Sequence, residues 1–398
     1  MNRSIRSVIT ILSAGTLFPH EASSADVLVS TPVFVTQDLS GNSLTVTDTG
    51  SITASIGVQL QNSTGNFLSN DGSINGSVTA GDRPVSDGTI NFRNSTLLGS
   101  IINNGSITNA VPSGFGFSLN LEYSSVLSGG LFNNGTISAV GGANPQAVRL
   151  GTEGVNKILG GIVNNGSIIS SGSDVSAAGI RLNGDTIING GITNSGLISS
   201  SSLGISTGGT IDFLSNTGTI SARNHGIQTS SNGSIGTITN SGSITGGSGY
   251  SINNNGNRVI GALNNAQGLM GTGGAVFTYR GKLPDNYNVI VNGARYGQLQ
   301  AFSAAPPATT TMSFGVYGTS LLQALTYDSV ISGVDNSLIS PASLSGSFGS
   351  YTWSLQQTAA GSGIWNLFVF SYDISSGGAF LAVASRTIAG FFDEELGV

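Results

Sequence analysis

Hydrophobic and polar residues along this chain recur in a unit of the form Asn-x-Gly-x-Ile. An apolar residue usually comes two positions before the Asn, and Ile, Val or Leu alternates with Ser or Thr on both sides. This period-2 pattern predicts two short strands, each with one buried face, joined by a turn. The unit begins at Asn70, Asn103, Asn133, Asn164, Asn194, Asn216 and Asn240, with a variant at Asp48 and a degenerate copy at Asn265.

The spacing of these units predicts the architecture. Successive units are 22 to 25 residues apart, except for four longer steps of 30 to 33 residues. The same bend once per period is typical of one full coil of a solenoid, whose coils stack in parallel about 4.8 Å apart. We therefore predict an all-β fold, a right-handed parallel β-helix of about nine to ten coils. The alternatives, an antiparallel sandwich or a propeller, would need turns about every 8 to 12 residues or blades of about 40 residues.

The Asn and Gly residues of each unit are expected to form the bend. Gly adopts positive φ without a steric penalty, and Asn tolerates the same region and bonds to nearby backbone. Asn at the same point of every coil would also stack into a ladder of side-chain amides.

The longer steps are expected to place their extra residues in loops on the coil surface, where solenoids carry binding sites. The most distinctive of these segments is residues 112–123. Phe115, Phe117 and Tyr123 lie there among Gly, Ser and Asn, so this segment is the candidate binding loop. The alternative is that the three rings pack back onto the coil.

Residues 1–25 have the features of a secretory signal. Two arginines precede an apolar run over residues 8–18, and small residues follow at 23–25. A membrane anchor would need about 20 apolar residues, and His20 and Glu21 interrupt this run. We therefore expect export and divide the chain into a leader (1–25), a solenoid (26–270) and a β-rich C-terminal cap (271–398).

The cap is predicted where the repeat stops and charged and aromatic residues return. An open solenoid end exposes backbone and core, so an unlike element must cover it. The predicted strands of the cap are residues 288–299, 313–317, 351–356 and 364–370, the last two as a hairpin.

Composition excludes several classes of function. Of the 398 residues only 8% are charged, the net charge is −6, and the basic residues are scattered singly, so nucleic-acid binding has no electrostatic basis. The chain has no cysteine and therefore no disulfide, thiolate nucleophile or Cys-ligated metal site. No motif for a cofactor or a metal occurs, and none is expected.

The C-terminal motifs carry a family resemblance. They are Tyr287-Asn288-Val289-Ile290, Tyr296-Gly297-Gln298-Leu299, Met312-Ser313-Phe314-Gly315-Val316-Tyr317, Ser350-Tyr351-Thr352-Trp353-Ser354-Leu355 and Ile364-Trp365-Asn366-Leu367. With the Asn-Gly coils before them, they resemble bacterial autotransporter passenger domains, pertactin-like β-helices that end in an autochaperone-like region. Tyr296, Gly297, Tyr351, Trp353 and Trp365 are the signature residues of this cap.

The resemblance implies that the cap folds first at the cell surface and templates the coils. It also implies an outer-membrane location and a translocator barrel as partner. Too few residues follow position 370 for the strands of such a barrel. We therefore expect the barrel on another chain, or this chain to be a truncated copy or a fragment.

Enzymatic chemistry has little support in the sequence. A polysaccharide lyase or hydrolase would need convergent carboxylates, or Arg and Lys beside a carboxylate, on adjacent coils. Asp185 and Asp212 come nine and four residues before their Asn, so they should not pair. Arg149, Arg181 and Arg223 come 15, 13 and 17 residues before theirs and align loosely, as a stripe for an anionic glycan or as isolated solubilising charges.

The predicted function is therefore non-enzymatic. We expect a secreted or surface-exposed stalk or adhesin that contacts host cells, matrix or other bacteria through its loops and coil face. A polysaccharide-active β-helix and a barrel-less copy without activity of its own are the alternatives. A Ser-His-Asp triad would have to use His225, the one histidine after residue 25.

Overall fold

The chain folds as a parallel β-solenoid with three faces. The computed structural model describes residues 26–77, 88–111, 115–142, 144–151, 153–173, 175–230, 232–254, 256, 258–307 and 311–371. Within these residues the strands form three long sheets, named sheets 1, 2 and 3, and two short two-stranded ones. The predicted leader and residues 372–398 of the predicted cap lie outside the described residues. The parallel β-solenoid predicted from the repeat is confirmed.

Each sheet is one face of the coil. Sheet 1 contains Val27–Val29, Leu44–Val46, Thr64–Gly65, Leu68–Asn70, Thr96–Leu97, Ile101–Asn103, Val126–Leu127, Leu131–Asn133, Lys157–Ile158, Ile162–Asn164, Ile187–Ile188, Ile192–Asn194, Thr210–Asn216, Ser234–Asn240, Ile260–Asn265, Asn286–Val289 and Ser313–Val316. Sheet 2 contains Pro32–Val33, Ser51–Ala54, Ser73–Gly76, Ser106–Val111, Thr136–Gly141, Ser167–Ser171, Leu197–Ser200, Thr219–Ala222 and Ser243–Gly246. Sheet 3 contains Gln37–Asp38, Val58–Gln61, Gly88–Arg93, Phe117–Glu122, Gln146–Leu150, Ala178–Leu182, Leu203–Thr207, His225–Thr229, Ile252–Asn254, Phe277–Lys282, Leu299–Ala305, Thr326–Ser332, Ser345–Phe348, Tyr351–Gln357 and Ile364–Ser371.

The remaining elements are short. Gln267–Gly268 pairs with Thr272–Gly273 in parallel, and Val291–Asn292 pairs with Arg295–Tyr296 as an antiparallel hairpin. Two 3₁₀ turns, Asn336–Leu338 and Pro341–Ser343, precede the final hairpins.

Three columns of apolar side chains fill the interior. The Ile of each repeat unit lies in sheet 2 and pairs with the Ile of the next coil, as Ile107 does with Ile137. The apolar residue before each Asn lies in sheet 1, and Ile162 there pairs with Ile192. A third column in sheet 3 includes Val148. These side chains are essentially inaccessible to solvent and join one continuous core, and burial of each contributes about 1.5–3 kcal/mol.

The longer repeat steps contain regular strands and not only loops. Half of segment 112–123 is the strand Phe117–Glu122, whose Leu119 pairs with Ile90 and Val148 in the coils on either side. The prediction of a surface loop over this whole segment is therefore wrong. The segment stays in sheet 3 because its register with the neighbouring coils keeps its apolar side chains in the core. A shift in that register would expose them. Residues 112–114 lie outside the described residues.

The seven repeat Asn side chains form the predicted ladder. All seven are fully buried, and each amide nitrogen donates to the amide oxygen of the Asn one coil further on, at 2.7 to 3.2 Å. The last bond is from Asn240 to Asn265. Most of these nitrogens also donate to the carbonyl of the Gly two residues on, which closes the turn.

The ladder has a direction and two different ends. In the coil before Asn70 the same register is occupied by Val46, which cannot donate, and the Oδ1 of Asn70 has no partner among the described residues. At the other end Gln267 caps the ladder: its Oε1 accepts from Asn240 and from the backbone N–H of Ile244. Every amide dipole between these ends has the same orientation.

The glycines of the repeat are required for close approach and not for positive φ. None of the seven has φ in the left-handed region, so the expectation of positive φ at the bend is wrong. A Cβ on Gly135 would lie 2.0 Å from the carbonyl oxygen of Gly105, and a Cβ on Gly166 would lie 2.0 Å from that of Gly135. Backbones of successive coils thus touch at this corner, where no side chain fits.

The C-terminal part continues the solenoid before it caps it. Sheet 2 ends at Ser243–Gly246, but sheets 1 and 3 continue in parallel to Ser313–Val316 and Thr326–Ser332. The cap proper is therefore shorter than the predicted 271–398 and begins after residue 332. Its strands Ser345–Phe348, Tyr351–Gln357 and Ile364–Ser371 are antiparallel.

The predicted C-terminal hairpin is present, but not every strand predicted after residue 271 is continuous. Tyr351–Gln357 pairs with Ile364–Ser371, as expected. The expected single strand over 288–299 is instead broken by the small hairpin around Gly293, whose φ of +63° only glycine adopts readily.

The five predicted cap signature residues cover the end of the core. Trp353 packs edge-on against Phe314 at 5.5 Å, and Tyr296 packs edge-on against Tyr327 at 5.2 Å. Trp365 is buried and donates from Nε1 to the carbonyl of Val334 at 2.8 Å. Tyr351 is half-buried against the core cluster.

Gly297, the remaining signature residue, lies over the end of the Asn ladder. A Cβ at this position would be 2.0 Å from the carbonyl oxygen of Asn265. The chain next to the small hairpin therefore approaches the end of the ladder as closely as one coil approaches the next.

Replacing Gly135 with alanine is expected to lower the free energy of unfolding by about 3 kcal/mol, because the new methyl group can be accommodated only if two coils separate. Urea unfolding followed by circular dichroism measures the change. Gly318→Ala is the matched control: Gly318 is exposed, and an added Cβ there meets no atom within 4 Å. Equal effects of the two substitutions would contradict the requirement for close approach.

Replacing Asn164 with valine is expected to cost about 1–3 kcal/mol more than replacing Asn70 with valine. Asn164→Val leaves the buried Oδ1 of Asn194 without its donor. Asn70→Val likewise leaves the Oδ1 of Asn103 without its donor, but it also removes the Oδ1 of Asn70, which is already unpaired. Valine is a suitable replacement because Val46 occupies the same register. The difference in urea midpoint checks this; a larger loss at Asn70 would show that the ladder has no such polarity.

Candidate functional site

The three aromatic residues of the predicted binding loop do not form one cluster. Phe115 is exposed and stacks on Phe117 at 6.5 Å, but Phe117 is buried beneath the guanidinium of Arg149, 4.6 Å from its ring. Tyr123 lies at the other end of strand Phe117–Glu122, about 20 Å away along the strand. For Phe117 the alternative, packing onto the coil, is what the structure shows.

Tyr123 instead lines a groove at the corner between sheets 3 and 1. The groove crosses four successive coils and has a volume of about 460 Å³. Its lining residues are Gln61, Asn62, Arg93, Asn94, Tyr123, Ser124, Glu153 and Gly154. The guanidinium of Arg93 lies 4.8 Å from the centre of the Tyr123 ring. We call this cavity the corner groove.

The backbone of the corner groove is strained. Asn62, Asn94, Tyr123 and Ser124 have φ between +48° and +63°, and they are four of the six described residues other than glycine with positive φ. Each such conformation costs about 1–3 kcal/mol, and it persists only where the surrounding structure enforces it. Backbone hydrogen bonds between coils enforce it here, including Ser124 N–H to the Glu153 carbonyl at 3.2 Å. Strain of this kind concentrates at binding sites.

The chemistry of the corner groove is polar with one aromatic ring. Amides of Asn62 and Asn94 are joined by a hydrogen bond of 3.0 Å and both side chains are exposed. Such amides both donate and accept. Tyr123 adds a half-exposed ring, and Glu153 an exposed carboxylate.

A buried ion pair on the outer side of sheet 3 was not found by sequence reasoning. Glu122 pairs with Arg149 of the next coil, and Arg149 also donates to the Asn120 oxygen at 2.7 Å. Counting residues back from the repeat Asn separates the two charges by four positions. Only the strand register reveals this ion pair. Arg149 is opposite Asn120 on the neighbouring strand, and its long side chain reaches diagonally to Glu122.

The predicted arginine stripe is partly formed. Arg149 and Arg181 are directly opposite each other on neighbouring strands of sheet 3. Arg223 follows strand Thr219–Ala222 of sheet 2 and lies at a corner instead, so it does not extend the stripe. Asp212 accepts from the backbone N–H of Gly190 at 3.2 Å, which is a structural contact.

His225 has partners that do not form a catalytic triad. Its Nδ1 accepts from the backbone N–H of Tyr250 at 3.1 Å, so a neutral ring carries its proton on Nε2. Nε2 lies 3.0 Å from the side-chain amide nitrogen of Asn253. Rotating that amide by 180° exchanges its nitrogen and oxygen, so that the oxygen accepts from the N–H at Nε2. Burial and, secondarily, the charge of Arg280 lower the pKa of His225 from its ordinary value.

Two negative observations concern the described part of the chain alone. Among those residues no group of three or more His, Asp or Glu side chains is placed to hold a metal ion. None of the helical segments found there has the length and apolar character needed to cross a membrane.

Comparison with known proteins adds no relative. The chain matches no protein-family model, no curated protein and no solved structure. The resemblance to autotransporter passengers therefore stays a prediction that rests on the sequence motifs, and a function can be proposed only from the sites themselves.

Acidification is expected to reduce stability through His225. Because its folded pKa lies below the unfolded value of 6.5, this contribution is complete above about pH 6.5 and is lost as the pH falls toward the folded pKa. The urea midpoint of the native chain should fall more between about pH 7 and pH 5 than that of His225→Gln, in which this titration is absent. Identical pH dependence of the two proteins would contradict the assignment.

Proposed function

We propose that this protein is an exported, non-enzymatic surface protein of the autotransporter-passenger type, a stiff stalk whose corner groove binds neutral saccharides on neighbouring cells or matrix. The observation that carries the proposal is the corner groove itself. It combines an exposed tyrosine ring, amides from successive coils and an enforced backbone strain within one cavity.

The stalk role is supported by the continuity of the solenoid. Twelve strands of sheet 3 stack in parallel from Gln37–Asp38 to Thr326–Ser332, which corresponds to a rod of about 50 Å. The buried Asn ladder joins eight coils along this rod. Because each coil contacts only its neighbours, this unbroken ladder holds successive coils in register along the rod.

The ligand class is inferred from the groove chemistry. Adjacent sugar hydroxyls need partners that donate and accept together, and the amides of Gln61, Asn62 and Asn94 do both. The ring of Tyr123 offers an apolar surface to the C–H face of a sugar. With Arg93 and Glu153 the lining contains one positive and one negative group, so it does not favour a charged ligand. A volume of 460 Å³ suits a small ligand such as one or two sugar rings.

A polysaccharide-active enzyme is the second candidate function. Glu122 and Arg149 supply a carboxylate beside an arginine on adjacent coils, the arrangement that such an enzyme would need. Yet Glu122 is only 2% exposed, and Arg149 covers it. A carboxylate held in this way cannot reach a glycosidic bond, so we assign the pair a structural role.

Tyr123→Ala is expected to weaken saccharide binding about tenfold, the loss that corresponds to about 1.4 kcal/mol of ring contact. Binding of the purified chain to an immobilised panel of neutral oligosaccharides measures it, and the same panel is assayed for new reducing ends. Phe115→Ala is the matched control, since Phe115 is a similarly exposed ring outside the groove.

Two results would overturn the proposal. One is that the native chain binds no neutral oligosaccharide, or that Tyr123→Ala binds as well as Phe115→Ala. The other is turnover of the panel that disappears in Glu122→Gln, which would establish the enzymatic alternative instead.

A further inference from the structure

A second cluster of side chains lies on the outer side of sheet 3, far along the rod from the corner groove. It consists of His225, Tyr250, Asn253, Arg280 and Phe302, and we call it the Arg280 cluster. Asn253, Arg280 and Phe302 are in register on three successive strands. Tyr250 stacks on His225 at 5.8 Å with nearly parallel rings and contacts Phe302 at 5.3 Å.

Arg280 has no polar partner among the described residues. Its guanidinium lies 5.5 Å from the centre of the Tyr250 ring, and it forms no hydrogen bond or ion pair there; its Nε is buried without an acceptor. Arg149 and Arg181 on the same sheet are both engaged, with Glu122 and with Asn183. A buried donor left unpaired costs about 1–3 kcal/mol. The terminal nitrogens of Arg280 are thus available to a ligand.

The surroundings of Arg280 favour an anion with an apolar face. The ring of His225 beside it is neutral while its Nδ1 accepts from the backbone N–H of Tyr250, since that nitrogen then carries no proton. Phe302, which is 37% exposed, is in register with Arg280 on the next strand of sheet 3. A guanidinium presents a planar pair of N–H groups that matches the two oxygens of a carboxylate.

We propose that the Arg280 cluster binds a carboxylated sugar, such as a uronic acid unit of an acidic polysaccharide. The carboxylate would accept from the two terminal nitrogens of Arg280. The apolar face of the sugar would lie against Phe302, while Tyr250 holds the guanidinium from its other side by a cation–π contact. This site is separate from the corner groove and takes a charged ligand where the groove takes a neutral one.

Arg280→Gln is expected to weaken binding of oligogalacturonate at least about tenfold, because a charge-assisted bidentate contact is lost. Isothermal titration calorimetry of the full chain with oligogalacturonate, and with neutral oligogalactose of the same length, measures the preference for the acid. Arg280→Lys should restore part of the affinity, since it keeps the charge but not the planar pair. Arg295→Gln is the matched control, as it removes the same charge from an exposed residue of the hairpin.

The results distinguish a dedicated carboxylate site from general charge attraction and from the corner groove. Native circular dichroism and a urea midpoint no lower than that of the native chain in Arg280→Gln, with lost binding, support the proposal, and so does normal binding by Tyr123→Ala. Equal affinity for the acidic and the neutral oligomer overturns it. So does an equal loss in Arg295→Gln, which would indicate general charge attraction. Binding of a Glu-rich peptide with no binding of the sugar acid would overturn the ligand class.

Discussion

The structure depends on one constraint: every residue must fit against the residue at the same point of the next coil, one strand spacing away. The repeat glycines meet it by having no side chain, since the carbonyl oxygen of the previous coil occupies the place of a Cβ. The repeat asparagines meet it because a primary amide donates on one side and accepts on the other. The interior isoleucines meet it by stacking apolar surface on apolar surface.

The same constraint explains why so few residues are charged. A like charge at the same point of the next coil would be directly opposite and destabilising. The surface therefore uses neutral side chains that both donate and accept hydrogen bonds from coil to coil. One exposed row of such bonds runs from Asp71 through Asn104, Asn134 and Asn165 to Ser195. Asp71 lies at the end of this row. Where like charges do face each other, as Arg149 and Arg181 do on sheet 3, Glu122 offsets the charge of Arg149 from a diagonal position.

Sequence reasoning could predict the parts of the coil that carry a repeated residue. The Asn-x-Gly-x-Ile unit marks the end of sheet 1 and the start of sheet 2, so the parallel stacking and the Asn ladder followed from it. Sheet 3 has an apolar column but no repeated letter, and strand Phe117–Glu122 was therefore mistaken for a loop. The sequence also could not show why the repeat positions are glycine. Positive φ and close approach of two backbones both select glycine, so the residue alone does not distinguish them.

The two candidate sites could not be predicted for a related reason. Both lie on sheet 3 or its corners, where the number of residues between strands varies: six separate Leu150 from Lys157, but only two separate Thr207 from Thr210. Residues that meet there, such as Arg93 with Tyr123 or Tyr250 with Arg280, have no constant offset from the repeat Asn.

That variability has a physical origin. The Asn ladder and the touching glycines hold sheets 1 and 2 to a fixed register, so a change of length at their shared corner would break several buried hydrogen bonds. The opposite corners have no such ladder and can change in length, and even adopt the strained φ of Tyr123 and Ser124, while the coil stays closed. In this solenoid the rigid side preserves the fold, and the side that is free to vary carries the corner groove and the Arg280 cluster.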